Sequence, residues 1–368
     1  MNIIWFNWKD AGHPAAGGAE VINEGLAERL AADGHTVTFL TAGFPGAAPT
    51  QKRRGFTIIR TGGRFTNYFT AARYFKSHRA ELAPDLVIDE CNTMPYFAGR
   101  YSRTRTVLFF HMLCREIWFY EMPQPMALAG YLLEPLYLRL LKPKNEIITI
   151  SDSTKKDLIR HGFKPAGIKV ISEAVELPPV PSLTALAKYE APTLLSHGSI
   201  HPMKRTLEQV KAFELTKAKI PDLRLIISGS ASTSYGQKVL EYVKNSPYAS
   251  SIRYAGRTTE AAKLTLMQKC HILLVTSVKE GWGLVVTEAA SQGTPSVVYD
   301  VDGLRDSVRH NQTGLVATAN TPAAMADAIE SLLTNPKKYE SFRNAGWEWS
   351  KTLSFDHAYA DFVRVLGL

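Results

Sequence analysis

Short apolar runs alternate with longer stretches of helical periodicity along almost the whole chain. That alternation restricts it to parallel α/β architectures, in which a crossover helix follows each strand. In the first half, strands are expected at Asn2–Trp5, Thr36–Leu40, Thr57–Ile59, Leu86–Ile88, Val107–Phe110 and Ile147–Ile150, with helices such as Ala19–Asp33 and Arg73–Leu82. The second half repeats the scheme at Thr193–Ser196, Arg224–Ile227, Ile252–Ala255, Ile272–Val275 and Ser296–Tyr299. Its helices are expected at Arg205–Thr216, Gly236–Asn245, Thr259–Gln268, Leu284–Gln292, Pro322–Leu333 and Pro336–Ser350. Around residues 176–192, Leu177-Pro178-Pro179-Val180-Pro181 reads as an extended linker. A chain of 368 residues suits about two domains of ~150 residues. The expected division is residues 1–175, residues 176–350, and a terminal helix Phe355–Leu366 within 351–368, packing back on the first domain or on the second. Two doubly wound domains joined in this way would leave a cleft between facing carboxyl ends of their strands, where open α/β sheets bind ligands.

Apolar residues at 45% and charged residues at 21% exclude a disordered or collagen-like chain. Cys91, Cys114 and Cys270 have no close spacing, which argues against a disulfide framework or a Cys-based zinc site and fits a reducing cytoplasm. Met1-Asn2-Ile3-Ile4-Trp5-Phe6 carries no basic leader, so no signal peptide is expected. The most apolar stretch, Met126 to Leu141, is interrupted by Glu134, Pro135 and Arg139, whereas a bilayer span needs ~20 nearly uninterrupted apolar residues. The net charge is +9, of which residues 1–173 carry +6. This balance favours an anionic partner: a phosphorylated metabolite, an anionic lipid surface or nucleic acid. No Lys/Arg run exceeds three residues and no nucleic-acid motif accompanies it, which ranks nucleic acid last.

Four loops carry candidate chemistry. Gly12-His13-Pro14-Ala15-Ala16-Gly17-Gly18-Ala19-Glu20 follows the first strand and opens a helix, where glycines admit close backbone approach and free N–H groups face an anion. It matches neither the dinucleotide fingerprint nor a Walker loop, and no acidic residue ends the second strand; a nicotinamide or ATP site is disfavoured. Alone, the loop is equally a tight strand–helix turn. His111 closes the strand Val107–Phe110; a structural histidine is the competing reading. Gly198-Ser199-Ile200-His201-Pro202-Met203-Lys204-Arg205 repeats the strand–glycine–helix pattern with a lysine suited to a diphosphate, or simply solvated. The strongest signal is Glu280-Gly281-Trp282-Gly283-Leu284-Val285-Val286-Thr287-Glu288, with a carboxylate on either side of a Gly-Trp-Gly helix start. Carboxylates beside an anion site make sense when they accept hydrogen bonds from hydroxyls, as sugars offer.

Taken in order, these motifs resemble a retaining glycosyltransferase of family 4, with the GT-B fold of two Rossmann-like domains. Ser151-Asp152-Ser153 with Lys155, Gly303-Leu304-Arg305-Asp306-Ser307-Val308 and Thr313-Gly314-Leu315 extend the likeness nearly end to end. The resemblance implies an acceptor-side first domain and a nucleotide-sugar-binding second domain. It implies catalytic roles for His111 on the transferred sugar, Lys204 on the diphosphate and Glu280 on sugar hydroxyls. Donor contacts are implied for Gly17, Gly18, Gly198, Ser199, Arg257, Thr258, Gly281, Trp282, Gly283, Leu284 and Glu288, the last on ribose and Arg257 and Thr258 beside the base. Ser199 stands where the family usually has arginine, leaving more of the phosphate charge to Lys204 with help from Arg205 or from the first domain. Asp300-Val301-Asp302 mimics the metal-binding motif of another glycosyltransferase fold but reads as a turn. No cofactor or metal is expected, and the donor would be of UDP or GDP type. The acceptor would be a glycan or lipid-linked molecule in cell-surface polysaccharide or glycolipid synthesis. Rival readings are a nucleotide-sugar epimerase of the same fold and a non-catalytic nucleotide-sugar-binding protein. The protein is expected in the cytoplasm, its first domain resting on an anionic membrane face through Lys52, Arg53, Arg54, Arg139, Lys142 and Lys144 near Trp118, Phe119 and Tyr120.

Overall fold

The computed structural model describes residues 1–141 and 146–368, so Lys142 and Lys144 of the basic set lie outside the described residues. The chain divides into two compact units. Unit 1 comprises Met1–Trp118, Gln124–Ala174 and Phe355–Leu368; unit 2 comprises Phe119–Pro123 and Val175–Ser354.

Unit 1 holds β1 (Asn2–Phe6), β2 (Thr36–Thr41), β3 (Thr50–Arg53), β4 (Phe56–Arg60), β5 (Leu86–Glu90), β6 (Arg105–Phe110), β7 (Glu146–Thr149) and β8 (Ile168–Val170). They form one sheet in the order β3-β4-β2-β1-β5-β6-β7-β8, parallel except for the β3/β4 hairpin. Ile3, Ile4, Trp5 and Phe6 are all buried, because a central parallel strand has both faces covered. Strand order reverses beside β1, with β2 on one side and β5 on the other, which opens a crevice at the carboxyl ends of β1 and β5. Strand β3 escapes sequence reading because Thr50-Gln51-Lys52-Arg53 has no apolar residue; Arg54 and Gly55, both at positive φ, turn it into β4.

The helix Met126–Leu141 runs through Pro135 and is 16 residues long, or about 24 Å. Among the described residues, no helix is long and apolar enough to cross a membrane. The terminal helix Phe355–Leu366 belongs to unit 1. Its Phe362 stacks on Trp5 with ring centres 5.7 Å apart, and Asp361 accepts hydrogen bonds from the Ser172 amide at 3.0 Å and hydroxyl at 2.5 Å. Gly25 lets it lie close, since a Cβ there would come 2.1 Å from the Phe355 ring and force that ring to shift.

Unit 2 holds β9 (Thr193–His197), β10 (Arg224–Ser228), β11 (Ile252–Gly256), β12 (Ile272–Val275), β13 (Ser296–Val298) and β14 (Gly314–Val316). The sheet is parallel throughout, in the order β11-β10-β9-β12-β13-β14. The Pro-rich segment expected as a linker is strapped to this unit. The Val180 amide donates to Ser291 O at 3.0 Å, Val180 O accepts from the Trp347 indole at 2.8 Å, and Leu177, Val180 and Leu183 are buried.

Candidate functional site

In unit 2 the strand order reverses at β9, flanked by β10 and β12. The loops after β9 and β12 therefore start side by side at the crevice of the sheet. The first carries Gly198, Ser199 and Lys204; the second carries Glu280 to Gly283. Thr276 stitches them together, donating its hydroxyl to Lys204 O at 2.8 Å while accepting from Gln209 Nε2 at 2.9 Å. The Val278 amide adds a bond to Met203 O at 2.8 Å. So placed, Lys204 Nζ pairs with the Glu280 carboxylate, whose Oε1 also accepts from the Ser277 hydroxyl at 2.6 Å. Behind Glu280 lies Gly303 at φ +78°, where a Cβ would come within 2.3 Å of Glu280 O. Only glycine fits both that backbone and that space.

The amides of Gly281, Trp282 and Gly283 donate to no group among the described residues. Gly283, at φ +92°, caps the helix Leu284–Ser291. Free N–H groups at a helix start, beside a lysine, suit a phosphate. Leu284 opens this helix half-buried; the Trp282 indole donates to Thr287 Oγ1 at 3.4 Å. Glu288, in the second turn, is buried and accepts from Lys263 Nζ at 2.8 Å. Burial pushes its carboxyl above the usual range, with Lys263 opposing. Past β11, Arg257 is exposed, while Thr258 Oγ1 meets Ser228 Oγ at 3.1 Å and Ser228 meets His197 Nδ1 at 3.2 Å. Burial pushes His197 down to about 4 and keeps it neutral. Ser199 is exposed. Asp300 and Asp302 lie in the turn after β13 and are held by cations: Asp300 by Arg305, Asp302 by Arg305 at 2.7 Å and Lys279 at 3.2 Å.

In unit 1, His111 follows β6 and is buried. Its Nε2 lies 3.2 Å from Asn23 Oδ1 and 3.7 Å from Glu90 Oε1; Asn23 Nδ2 donates to the other Glu90 oxygen. Burial drives His111 down to about 3, so its neutral form prevails near pH 7, and pushes the Glu90 carboxyl well above its ordinary value. Thr154, from the Ser151 helix start, donates to His111 O at 3.1 Å. The Gly17 amide is already occupied, donating to Glu20 Oε2 at 2.6 Å; Gly18 is exposed as the first residue of its helix. The preceding loop is locked by Asp10, buried and gripped by Arg60 at 2.8 and 3.0 Å.

Lys204, Glu280 and Gly281–Gly283 thus come together in unit 2, with Glu288 one helical turn further on. Arg257 and Thr258 lie at the end of β11, and His111, Gly17 and Gly18 lie in unit 1. Sequence reasoning missed Lys263, Ser277, Asn23 and Glu90. Only Glu90 left a signal, as an acid closing an apolar strand.

Residues 16–177 match the family model described as Glycosyltransferase Family 4, and residues 185–349 match Glycosyl transferases group 1. The N-acetyl-alpha-D-glucosaminyl L-malate synthase of Bacillus anthracis is 24% identical over 369 residues, covering 91% of this chain and 88% of its own. The D-inositol 3-phosphate glycosyltransferase of Pseudarthrobacter chlorophenolicus is 27% identical over 184 residues, 47% of this chain; the match spans 44%, less than half, of that relative. Anabaena HepE, solved in complex with UDP and glucose, shares the fold at a TM-score of 0.73 and 14% identity, with 100% of both chains covered.

Proposed function

Because the chain belongs to the family 4 glycosyltransferases of the GT-B fold, we propose that it is a retaining, metal-independent enzyme. In this reading it moves a sugar from a UDP- or GDP-type donor to a hydroxyl of a glycan or lipid-linked acceptor, in cell-surface polysaccharide or glycolipid synthesis. The observation that carries the proposal is the grouping of Lys204, Glu280 and the unengaged amides of Gly281, Trp282 and Gly283 at one sheet crevice. A cation and fixed N–H dipoles offset the charge that develops on a departing diphosphate, while a carboxylate is available to sugar hydroxyls.

Without ligand, Glu280 neutralises Lys204. When a donor binds, Lys204 turns to the diphosphate and frees the carboxylate for the sugar. Glu288 holds ribose, exchanging part of its contact with Lys263 for hydroxyl groups, and Arg257 and Thr258 border the base. The neutral imidazole of His111 touches the sugar without adding charge to it. The acceptor hydroxyl attacks on the face the diphosphate leaves, a phosphate oxygen takes its proton, and configuration is retained. The UDP and glucose bound by the Anabaena protein make UDP-glucose the first donor to try.

Peripheral attachment to an anionic membrane on the cytoplasmic side is part of the proposal, with its basis altered by the structure. Trp118 is buried, its indole donating to Glu134 at 3.2 Å, so it is no interface aromatic; Arg53 is tied to Glu24 at 2.8 Å. Support comes instead from the helix Met126–Leu141, which leaves Leu128, Leu132, Leu133, Leu136 and Leu140 exposed beside Arg139.

The deciding experiment supplies UDP- and GDP-sugars with and without candidate acceptors. Nucleoside diphosphate released only with acceptor, and a product whose anomeric configuration matches the donor, is the expected result. Sugar isomerisation without acceptor would make the protein an epimerase, and binding without turnover would make it a binding protein.

A further inference from the structure

On unit 1 an open pocket of about 720 Å³ runs between the helix Asn67–Ser77 and the segment from Met94 to Tyr101. We propose that this pocket is an acceptor-binding site and that it takes a saccharide bearing a phosphate or carboxylate group. The assignment rests on the transferase reading above.

Aromatic rings form its walls, among them Tyr68, Phe69, Tyr96 and Phe97. Phe69 is 77% exposed, far more than core packing explains for so large an apolar ring. The electron-rich face of such a ring matches the polarised C–H groups on one side of a sugar.

Arg73 and Lys76 lie one turn apart on the helix and both line the pocket. Among the described residues no aspartate or glutamate lines it. Among the described residues neither cation has a carboxylate partner; Lys76 Nζ stands 4.8 Å over the Tyr101 ring. Two uncompensated cations against an apolar wall favour an anion, and the arginine fork fits a phosphate or carboxylate with two parallel bonds.

The wall is also braced. Asp89, wholly buried, accepts hydrogen bonds from the amides of Tyr96 and Ala98, both at 2.8 Å. Between them Phe97 is held at φ +55°, a backbone conformation unusual for a bulky residue. The Tyr96 hydroxyl donates to Asn67 Oδ1, and Asn67 Nδ2 donates to Thr61 O at 2.9 Å. A left-handed phenylalanine persists where its neighbours over-determine it, and a wall fixed in advance lowers the ordering cost of binding a ligand.

Titration calorimetry on the full chain tests the assignment with glucose 6-phosphate, glucuronate, glucose, inorganic phosphate and phosphatidylglycerol vesicles as probes. Both anionic sugars should bind at least about tenfold more tightly than glucose or phosphate, and Arg73→Ala and Phe69→Ala should each remove about tenfold of that affinity. Both side chains are exposed, so neither change threatens the fold. Phosphate binding as tightly as the sugar phosphate, affinity indifferent to Phe69, or binding to vesicles alone would overturn the proposal. UDP and GDP titrations separate the two levels. A protein that takes neither nucleotide refutes the transferase reading, whereas intact nucleotide binding without anionic-sugar binding refutes the pocket alone.

Discussion

Replacing Lys204 by alanine is expected to separate catalysis from stability. Its side chain is 30% exposed and that of Glu280 14% exposed. With Lys204 part-exposed and Glu280 mostly shielded, the pair stands at the upper end of the exposed range, about 1 kcal/mol, and Glu280 keeps its bond from Ser277. For a unit of this size such a loss lowers Tm by at most about 2–4 °C. On a departing diphosphate the same ammonium is a fixed electrostatic partner, and removing one such partner costs about 100–1000-fold in kcat, or ~2.7–4 kcal/mol. Nucleoside diphosphate release under saturating donor and acceptor gives the loss in kcat, and thermal unfolding gives the change in Tm. Because Lys204 and Glu280 share one contact, the double variant Lys204→Ala with Glu280→Gln should fall well short of the product of the single losses. A kcat within about threefold of the parent would refute the electrostatic role. So would a Tm drop large enough, above about 6 °C, to make the lysine structural.

Other outcomes follow from the same geometry. Glu288→Gln should raise KM by about 1–3 kcal/mol equivalent and leave kcat nearly unchanged, since a ribose contact is much the same before and during bond cleavage; steady-state kinetics showing a fallen kcat would contradict it. Asp10→Ala strands the buried Arg60 and should cost about 3–5 kcal/mol in a urea melt at pH 7. Burial alone would raise the Asp10 carboxyl, but Arg60 and the Gly12 amide outweigh it and hold it below 3.8. Its contribution is therefore present above that value and lost as pH falls through the folded-state pKa. The gap between parent and variant should shrink in melts carried down toward pH 3, and a constant gap would contradict the linkage. Chelator should leave turnover nearly intact; a collapse restored by magnesium or manganese would bring Asp300 and Asp302 forward as ligands despite their pairing with Arg305 and Lys279.

Strands such as Ile3–Phe6 and Leu194–Ser196 are legible because a strand covered on both faces must be written as an apolar run. The β3 strand is illegible for the opposite reason: it lies at the sheet edge, where Lys52 faces water while Gln51 and Arg53 are polar yet engaged, with Arg60 and with Glu24. The Met126–Leu141 helix is obscured by Pro135 and by a carboxylate, Glu134, that turns inward to receive the amides of Cys114 and Arg115. At the site, the glycine turns and flanking carboxylates stand in the sequence, but the meeting of Lys204 with Glu280 does not. It depends on β9 and β12 being neighbours, which apolar runs leave unordered. Lys263 reaches Glu288 from another helix, and Asn23 reaches His111 across 88 residues. Such pairings belong to the topology and leave no local trace.

The return of Phe355–Leu366 to unit 1 also has a temporal meaning. Unit 2 is, in chain order, an insertion within unit 1. On the ribosome, domains generally fold as their residues emerge. Here Trp5 waits for Phe362, Gly25 for Phe355 and Ser172 for Asp361, partners synthesised only after all of unit 2. Unit 1 is begun first and finished last. Through the interval unit 1 lacks the terminal segment Phe355–Leu368, so the Phe362 and Phe355 rings that complete its packing at Trp5 and Gly25 arrive only after unit 2 has been made.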